Sequence, residues 1–434
     1  MKKLSTFQIV VTAGFIIFTI LGVLLFAGVG GFGGREDKVG PVVVWGTYDE
    51  KIMKDVLREL SYDDNRFDEV SYVEKDARTF DTQLVEALAA GSGPDLFFLQ
   101  QDTIVRHKDK IYPIPYSVVS ERAFRDSFIE EGELFLGQQG IYAMPFMVDP
   151  MVLYWNRDHY ARAGIARPPR YWDELLGYAG DGVLTLRGES GAILQSAFAI
   201  GGYRNITHAK ELLSLLMLQA GTPIVDDQAV EPTAQLRSYS VEGVTPAENA
   251  LRFYTDFANP SKSIYTWNSA LPEAQKAFVS GILSNYAGFA GELSSIRKQN
   301  PNLNFDVALI PQVRESGRTT TFGKMTALAV PKGAQNLGGG IAIALALSED
   351  VSLQKVVDMT GFAPVSRALL ATRPTDPFKA VLWDAALQSG AWLDPSAEAT
   401  EGVFQRMIES VVSGRLRISE AVDTAHRELE NLLQ

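Results

Sequence analysis

The chain contains no cysteine. That excludes any disulfide and excludes a lipid-modified cysteine as a membrane anchor. Its four histidines, His107, His159, His208 and His426, are isolated, and none falls into HExxH or another metal-ligand spacing. A GxSxG nucleophile elbow and a GxxxxGK[ST] phosphate loop are both absent. Basic residues are in the minority, 40 Lys and Arg against 52 Asp and Glu, for a formal net charge of −12. Such a chain lacks the basic face that nucleic acid requires, and broad adhesion to anionic lipid headgroups is disfavoured. Acidic pairs such as Glu130-Glu131 read as solvated faces more readily than as a glycosidase dyad.

Against these absences stands one long apolar run, residues 7–30, with no charge between Lys3 and Arg35. That is enough helix to cross a hydrocarbon core of about 30 Å. Lys2 and Lys3 precede it, so the positive-inside rule keeps residues 1–6 in the cytoplasm and sends everything after Arg35 outside. The length favours an uncleaved single-pass anchor. A cleaved export signal with a processing point around Ala27–Gly31 is the competing reading. Both place the rest of the chain outside the cytoplasm. Residues 31–39 then form a short tether. Gly28, Gly30 and Gly33 spell GxGxxG, but at the end of an apolar span the pattern is a chance match.

Hydrophobic content of 46% and charged content of 21% are those of a globular chain, and the remaining length suffices for two lobes. Val42–Trp45, Val70–Val73 and Leu96–Leu99 read as strands. Between them, Asp49 caps a helix carrying Ile52, Met53, Val56, Leu57 and Leu60, and Thr79–Ala90 is a second amphipathic helix. Strand, helix, strand, helix, strand at these lengths predicts a parallel α/β sheet, with ligand at the carboxyl ends of the strands. Those ends are Thr47–Asp49 and Gln100–Asp102. A second region opens with Ile141–Met144, Pro145 and Met151–Trp155. Helices are expected from there through about residue 280, then strands at Phe305–Ile310 and Thr326–Val330. An apolar helix at Ile341–Leu347 and two closing amphipathic helices, Phe404–Val412 and Ser419–Leu433, complete the pattern.

Four separated segments together resemble the family 1 extracellular solute-binding proteins, the maltose-binding-like receptors of ABC importers. They are Leu84–Phe98 (LVEALAAGSGPDLFF), Gly140–Asn156 (GIYAMPFMVDPMVLYWN), Ala166–Leu175 (ARPPRYWDEL) and Gly414–Ala421 (GRLRISEA). Ala277–Ser294 and Phe305–Pro311 fit more loosely. The resemblance covers about residues 40–434. It implies a two-lobed α/β periplasmic-binding-protein-like fold with an interdomain cleft, preceded by the N-terminal transmembrane helix. By its mapping one lobe is 40–149 plus 326–358 and the other 150–325 plus 359–434, closing by a hinge about the crossing strands. Two tryptophans of the family's sugar site fall at Leu99 and Leu293, so the stacking surface departs from the maltose one.

The resemblance places Asp49, Asp102 and Asp149 at ligand-contact positions of the first lobe. As residues alone, each serves equally well as a helix cap or turn aspartate. Tyr48 and Trp45 flank the end of the first strand, Trp45 within an apolar run that suits the core. Trp267 and Trp392 lie in loops with polar neighbours, where stacking on a ligand competes with packing. Tyr286 and Phe289 map near the second-lobe cleft but suit a core equally. Trp172 reads as structural, and Asp95 as the tie of the GPD turn. The expected function is an extracytoplasmic receptor that binds a carbohydrate or similar polar solute for ABC importer permease subunits, without cofactor, metal or catalysis. Two alternatives stay open: a surface glycan-degrading enzyme using acidic cleft residues, and a sensor-type binding module.

Overall fold

The computed structural model describes residues 39–180, 182–226, 231–237, 245–314 and 317–434. The apolar run at 7–30 and the tether up to residue 38 lie outside them; among the described residues no helix is long and apolar enough to cross a membrane.

The chain opens as its pattern predicts. Strand β1 (Val42–Gly46) pairs in parallel with β2 (Val70–Glu74) and with β3 (Leu96–Gln100). Helix α1 (Glu50–Ser61) follows β1, capped by the Asp49 side chain on the Ile52 amide at 3.0 Å. Its inward face is Met53, Val56, Leu57 and Leu60; Ile52 turns outward instead. Helix α2 (Phe80–Ala89) leads back to β3 through the GPD turn. Asp95 ties that turn: its carboxylate accepts from the Val43 amide at 3.0 Å and from the Asn336 amide at 2.8 Å. The second of these holds the start of α4 (Leu337–Leu347) against the sheet.

Two strands carry the chain between the lobes. The segments read separately as Ile141–Met144 and Met151–Trp155 are not separate strands. Met144–Asn156 is one continuous strand, β4, with Pro145 and Pro150 inside it. A proline has no N–H to give a ladder. Pro145 lies beside a register shift in the partner strand, and Pro150 faces Gly323. That partner is β8 (Thr321–Ala329), antiparallel to β4 on one side and to β3 on the other. Beyond β4 the sheet continues with β6 (Leu283–Phe289) and β5 (Ile193–Phe198), while β7 (Phe305–Ala308) pairs further along β4. The order β2-β1-β3-β8-β4-β6-β5 is thus one twisted surface through both lobes. Strand β5 corrects the expectation of helices up to residue 280. Its ILQSAF run buries the polar Gln195 and Ser196 with Ala197 and Phe198 while Leu194 is exposed, so no alternating apolar pattern marks it.

Side-chain alternation along β4 divides the core. Val152 and Tyr154 join the cluster that begins in the first lobe, whereas Met151 and Leu153 join a second cluster on the other face. That second cluster packs α3 (Ala209–Gln219) with the closing helices α7 (Ala397–Val412) and α8 (Ile418–Leu433). Ala363, Val365, Leu382 and Trp383 pack in the first cluster, the last two from α6 (Pro377–Leu387); α5 (Asp350–Thr360) precedes them.

A buried ion pair locks α3 to the segment before α7. Lys210 donates to Asp394 at 2.5 Å and to Thr400 at 2.8 Å, with both charged side chains under 10% exposed. Removing one partner of such a pair leaves an uncompensated buried charge. Asp394→Ala is therefore expected to lower unfolding free energy by about 3–5 kcal/mol. A loss below 1 kcal/mol in urea unfolding would contradict this role.

Candidate functional site

Strands β1 and β3 run opposite to β6, and the two sets end facing each other beside the middle of the two crossing strands. Asp102 leaves β3 in the short turn Gln101–Thr103. Asp149 sits opposite Lys324 in the β4–β8 register, so both side chains point to the same face. From the other lobe come His208 and Glu211 at the start of α3, Phe289 at the end of β6 and Glu292 just beyond it.

These groups form one polar network. The Lys324 ammonium pairs with Glu211 at 2.8 Å and lies 4.3 Å from the Phe289 ring centroid. Asp149 accepts the Gly291 amide at 2.8 Å. Glu292 accepts from Tyr286 at 2.6 Å and from the Phe289 amide at 2.8 Å, and its other contacts are His208 at 2.7 Å and Gln275 at 2.5 Å. Tyr48 shares a 2.7 Å hydrogen bond with Thr326 and meets Phe98 and Phe362 edge-on.

Burial shifts the titrations here, and the partners decide the sign. Burial pushes Asp149 up to about 6 against the opposing pull of the Gly291 amide. Asp102 is also raised, by burial and by the facing Asp394, although Lys210 and Lys324 counter it. No hydrogen bond to the Asp102 carboxylate is made among the described residues. Burial alone would raise Glu211 and Glu292, yet both end below the ordinary carboxylate range. Lys324 and His208 hold Glu211 down; His208, Tyr286 and the Phe289 amide hold Glu292 down. Tyr48 is pushed up to about 12 by burial and stays a neutral hydroxyl.

Of the residues singled out from sequence, the fold brings Tyr48, Asp102 and Asp149 together around this network. Tyr286 reaches it only through its hydroxyl on Glu292, its ring being stacked on Tyr154 and Phe278. The others stand apart. Asp49 spends a carboxylate oxygen on the α1 cap. The Trp45 ring is covered by the Lys75 ammonium at 3.7 Å. Trp267 is fully buried in the first core cluster. Trp392 is also buried, bonding Ser214 at 3.2 Å and stacking on Phe404. The loops holding these two tryptophans are packed loops, which residue neighbours alone do not reveal. Lys324, Glu211, His208 and Glu292 were missed. A usable signal existed for Lys324, the one charge in the apolar strand TFGKMTALA.

Among the described residues, no set of three or more His, Cys, Asp or Glu could hold a metal ion. The carboxylates are paired with cations or amides, or turned toward the space between the lobes. Two α/β lobes joined by crossing strands, with polar groups converging between them, define a binding-protein architecture. The chain belongs to the bacterial extracellular solute-binding protein family, whose family model matches residues 64–380. Proteins of Brucella abortus and Brucella suis named as binding proteins are 22% identical over 289 residues; the match spans 66% of this chain and 66% of theirs.

Solved structures share the fold. A cyclic α-maltosyl-1,6-maltose binding protein from Arthrobacter globiformis superposes with a TM-score of 0.74 at 15% identity, over 91% of this chain and 99% of that one. A cyclo/maltodextrin-binding protein complexed with maltotetraose gives 0.72 at 15%, over 92% and 99%. An ABC transporter solute-binding protein from Thermotoga lettingae, bound with α-D-tagatose, gives 0.66 at 19%, over 91% and 100%.

Asp149 supplies a test of the network. Its native carboxyl keeps a proton up to about pH 6, whereas the unfolded one releases it near pH 4. Its contribution to stability therefore falls as pH rises through that window. Asp149→Asn is expected to flatten the fall in thermal midpoint between pH 4 and 6. An unchanged slope would show that Asp149 is not held protonated.

Proposed function

We propose that this chain is an extracytoplasmic receptor that captures a carbohydrate between its lobes and presents it to the permease of an ABC importer. The observation that carries the proposal is the half-buried Asp102 carboxylate at the lobe interface, to which none of the described residues makes a hydrogen bond. Such a group favours a ligand that brings hydroxyl donors, because a ligand lacking them leaves it buried and unpaired at a cost of about 1–3 kcal/mol. The sugars bound by the structural relatives support the same class. We place Asp102, Asp149, Lys324 and Glu211 around the ligand, with Tyr48 behind them.

The lobes divide near 40–149 plus 326–358 and 150–325 plus 359–434, with the segment around 363–387 packed on the first. The two-state cycle is capture by the open form, bridging of both lobes by the ligand, and docking of the closed form. The run at 7–30 anchors the receptor near its permease.

A thermal-shift panel of maltooligosaccharides, mannooligosaccharides and tagatose tests the proposal. A true ligand at a hundred times its Kd adds about 2.7 kcal/mol of apparent stability. Asp102→Asn is expected to weaken that ligand tenfold or more without lowering the unliganded midpoint. Absence of a shift across the panel in folded protein would overturn the carbohydrate class. Conversion of the sugar, in place of its intact recovery, would point to the enzyme instead.

A further inference from the structure

The crossing strands have a second face. Along β8, Lys324 and Thr326 point toward the cleft network, so the intervening and preceding positions point away. Gly323 is one of these, and a Cβ there would overlap the Glu131 carboxylate and the Ser389 hydroxyl. Ser389 belongs to β9 (Ser389–Gly390), which pairs with the start of β8. Glu131 therefore lies behind the hinge, on the side opposite the cleft, and Ser389 hydrogen-bonds one of its oxygens.

A cavity of about 460 Å³ opens at this rear face. One wall is the Glu130–Leu134 turn that precedes β4; another is Gly221–Val225, which follows α3 on the far side of the hinge. Two residues that line it each carry a buried polar atom with no partner among the described residues: Glu131 Oε1, in a residue 2% exposed, and Thr222 Oγ1, in a residue 1% exposed. Orphaned buried groups are rare in native proteins. Two of them in residues that line one cavity from separate segments mark a place for an occupant that hydrogen-bonds both.

We infer that this rear cavity binds a small organic ammonium ion, its N–H groups on Glu131 Oε1 and Thr222 Oγ1 and its hydrocarbon against Leu218, Pro223 and Val225. The carboxylates Glu130 and Glu133 also line the space, Glu133 already being paired with Arg125, and Arg318 is the cation at the rim. A multidentate metal ion does not fit, since no metal-ligating cluster occurs among the described residues. The volume also far exceeds that of a bare ion and falls within the range of small-molecule pockets, about 300–1,000 Å³. Burial pushes the Glu131 carboxyl up to about 7, so a cation arriving beside it stabilises its ionised form. Because the cavity lies behind the hinge, rotation that opens the front cleft narrows it. An occupant bridging Glu131 and Thr222 thus resists opening.

Trp392 lines the cavity and supplies a reporter. Titration of the intact protein with n-propylammonium chloride, without any sugar, is expected to change tryptophan fluorescence saturably. Glu131→Gln, which keeps the shape of a protonated glutamate, is expected to weaken this response at least tenfold. Thr222→Val is expected to weaken it several-fold while leaving the midpoint of unfolding within a few degrees. Trp392→Phe should abolish the signal while calorimetry still records binding. Lack of saturable binding, equal binding by both polar-site variants and wild type, or an equal response to potassium chloride would each overturn the inference. None of these outcomes depends on the solute that the front cleft holds.

Discussion

The antiparallel pairing of β4 with β8 is the constraint on which the rest of the structure depends. These two strands join the lobes, so the same residues form the floor between them, the partition between front and rear, and the proposed hinge. Register decides which groups meet. Asp149 opposite Lys324 puts a carboxylate and an ammonium on the cleft face. The next pair, Pro150 with Gly323, gives up a side chain on the rear face and lets Glu131 and Ser389 approach the strand. A slip of one residue would exchange the two faces, burying Lys324 behind the hinge and leaving the cleft without its cation.

Electrostatics then explains why the lobe interface tolerates so many charges. Each buried ion carries a desolvation cost that only paired and hydrogen-bonded geometry offsets. Lys324 with Glu211, and Glu292 with four neighbours, meet that condition. Lys210 with Asp394 and Thr400 meets it further inside the second lobe. Asp102 does not, and Asp149 does only in part; these are the groups whose pKa values rise. Points such as these preorganise the proposed site for a ligand that supplies the missing donors.

Much of the first lobe was legible in the sequence because it is built from local signals. The Asp49 cap, the apolar stripe of α1 and the GPD turn each specify their own geometry, and Asp95 ties three elements as its position suggested. Strand β5 was not legible, since LQSAF carries neither an alternating nor a long apolar pattern. Neither was the continuity of β4, where prolines that ordinarily end strands sit opposite a bulge and a glycine. The proposed site divides similarly. Asp102 and Asp149 follow from strand ends and motif, whereas Trp267 and Trp392 are loop residues buried by long-range packing. Glu211 and Glu292 become site residues only because the topology folds α3 and β6 toward β8.

The central claim is that the lobes close about β4 and β8 on a bound saccharide. The absence of native cysteine permits two labels to be introduced cleanly, one at exposed Arg78 beyond β2 and one at exposed Arg204 before α3. Electron–electron distance spectroscopy between them, with and without a saccharide that raises the thermal midpoint, reads the motion directly. The account predicts that ligand shifts the distribution to a shorter, narrower distance. A bound saccharide that leaves the distribution unchanged would contradict it.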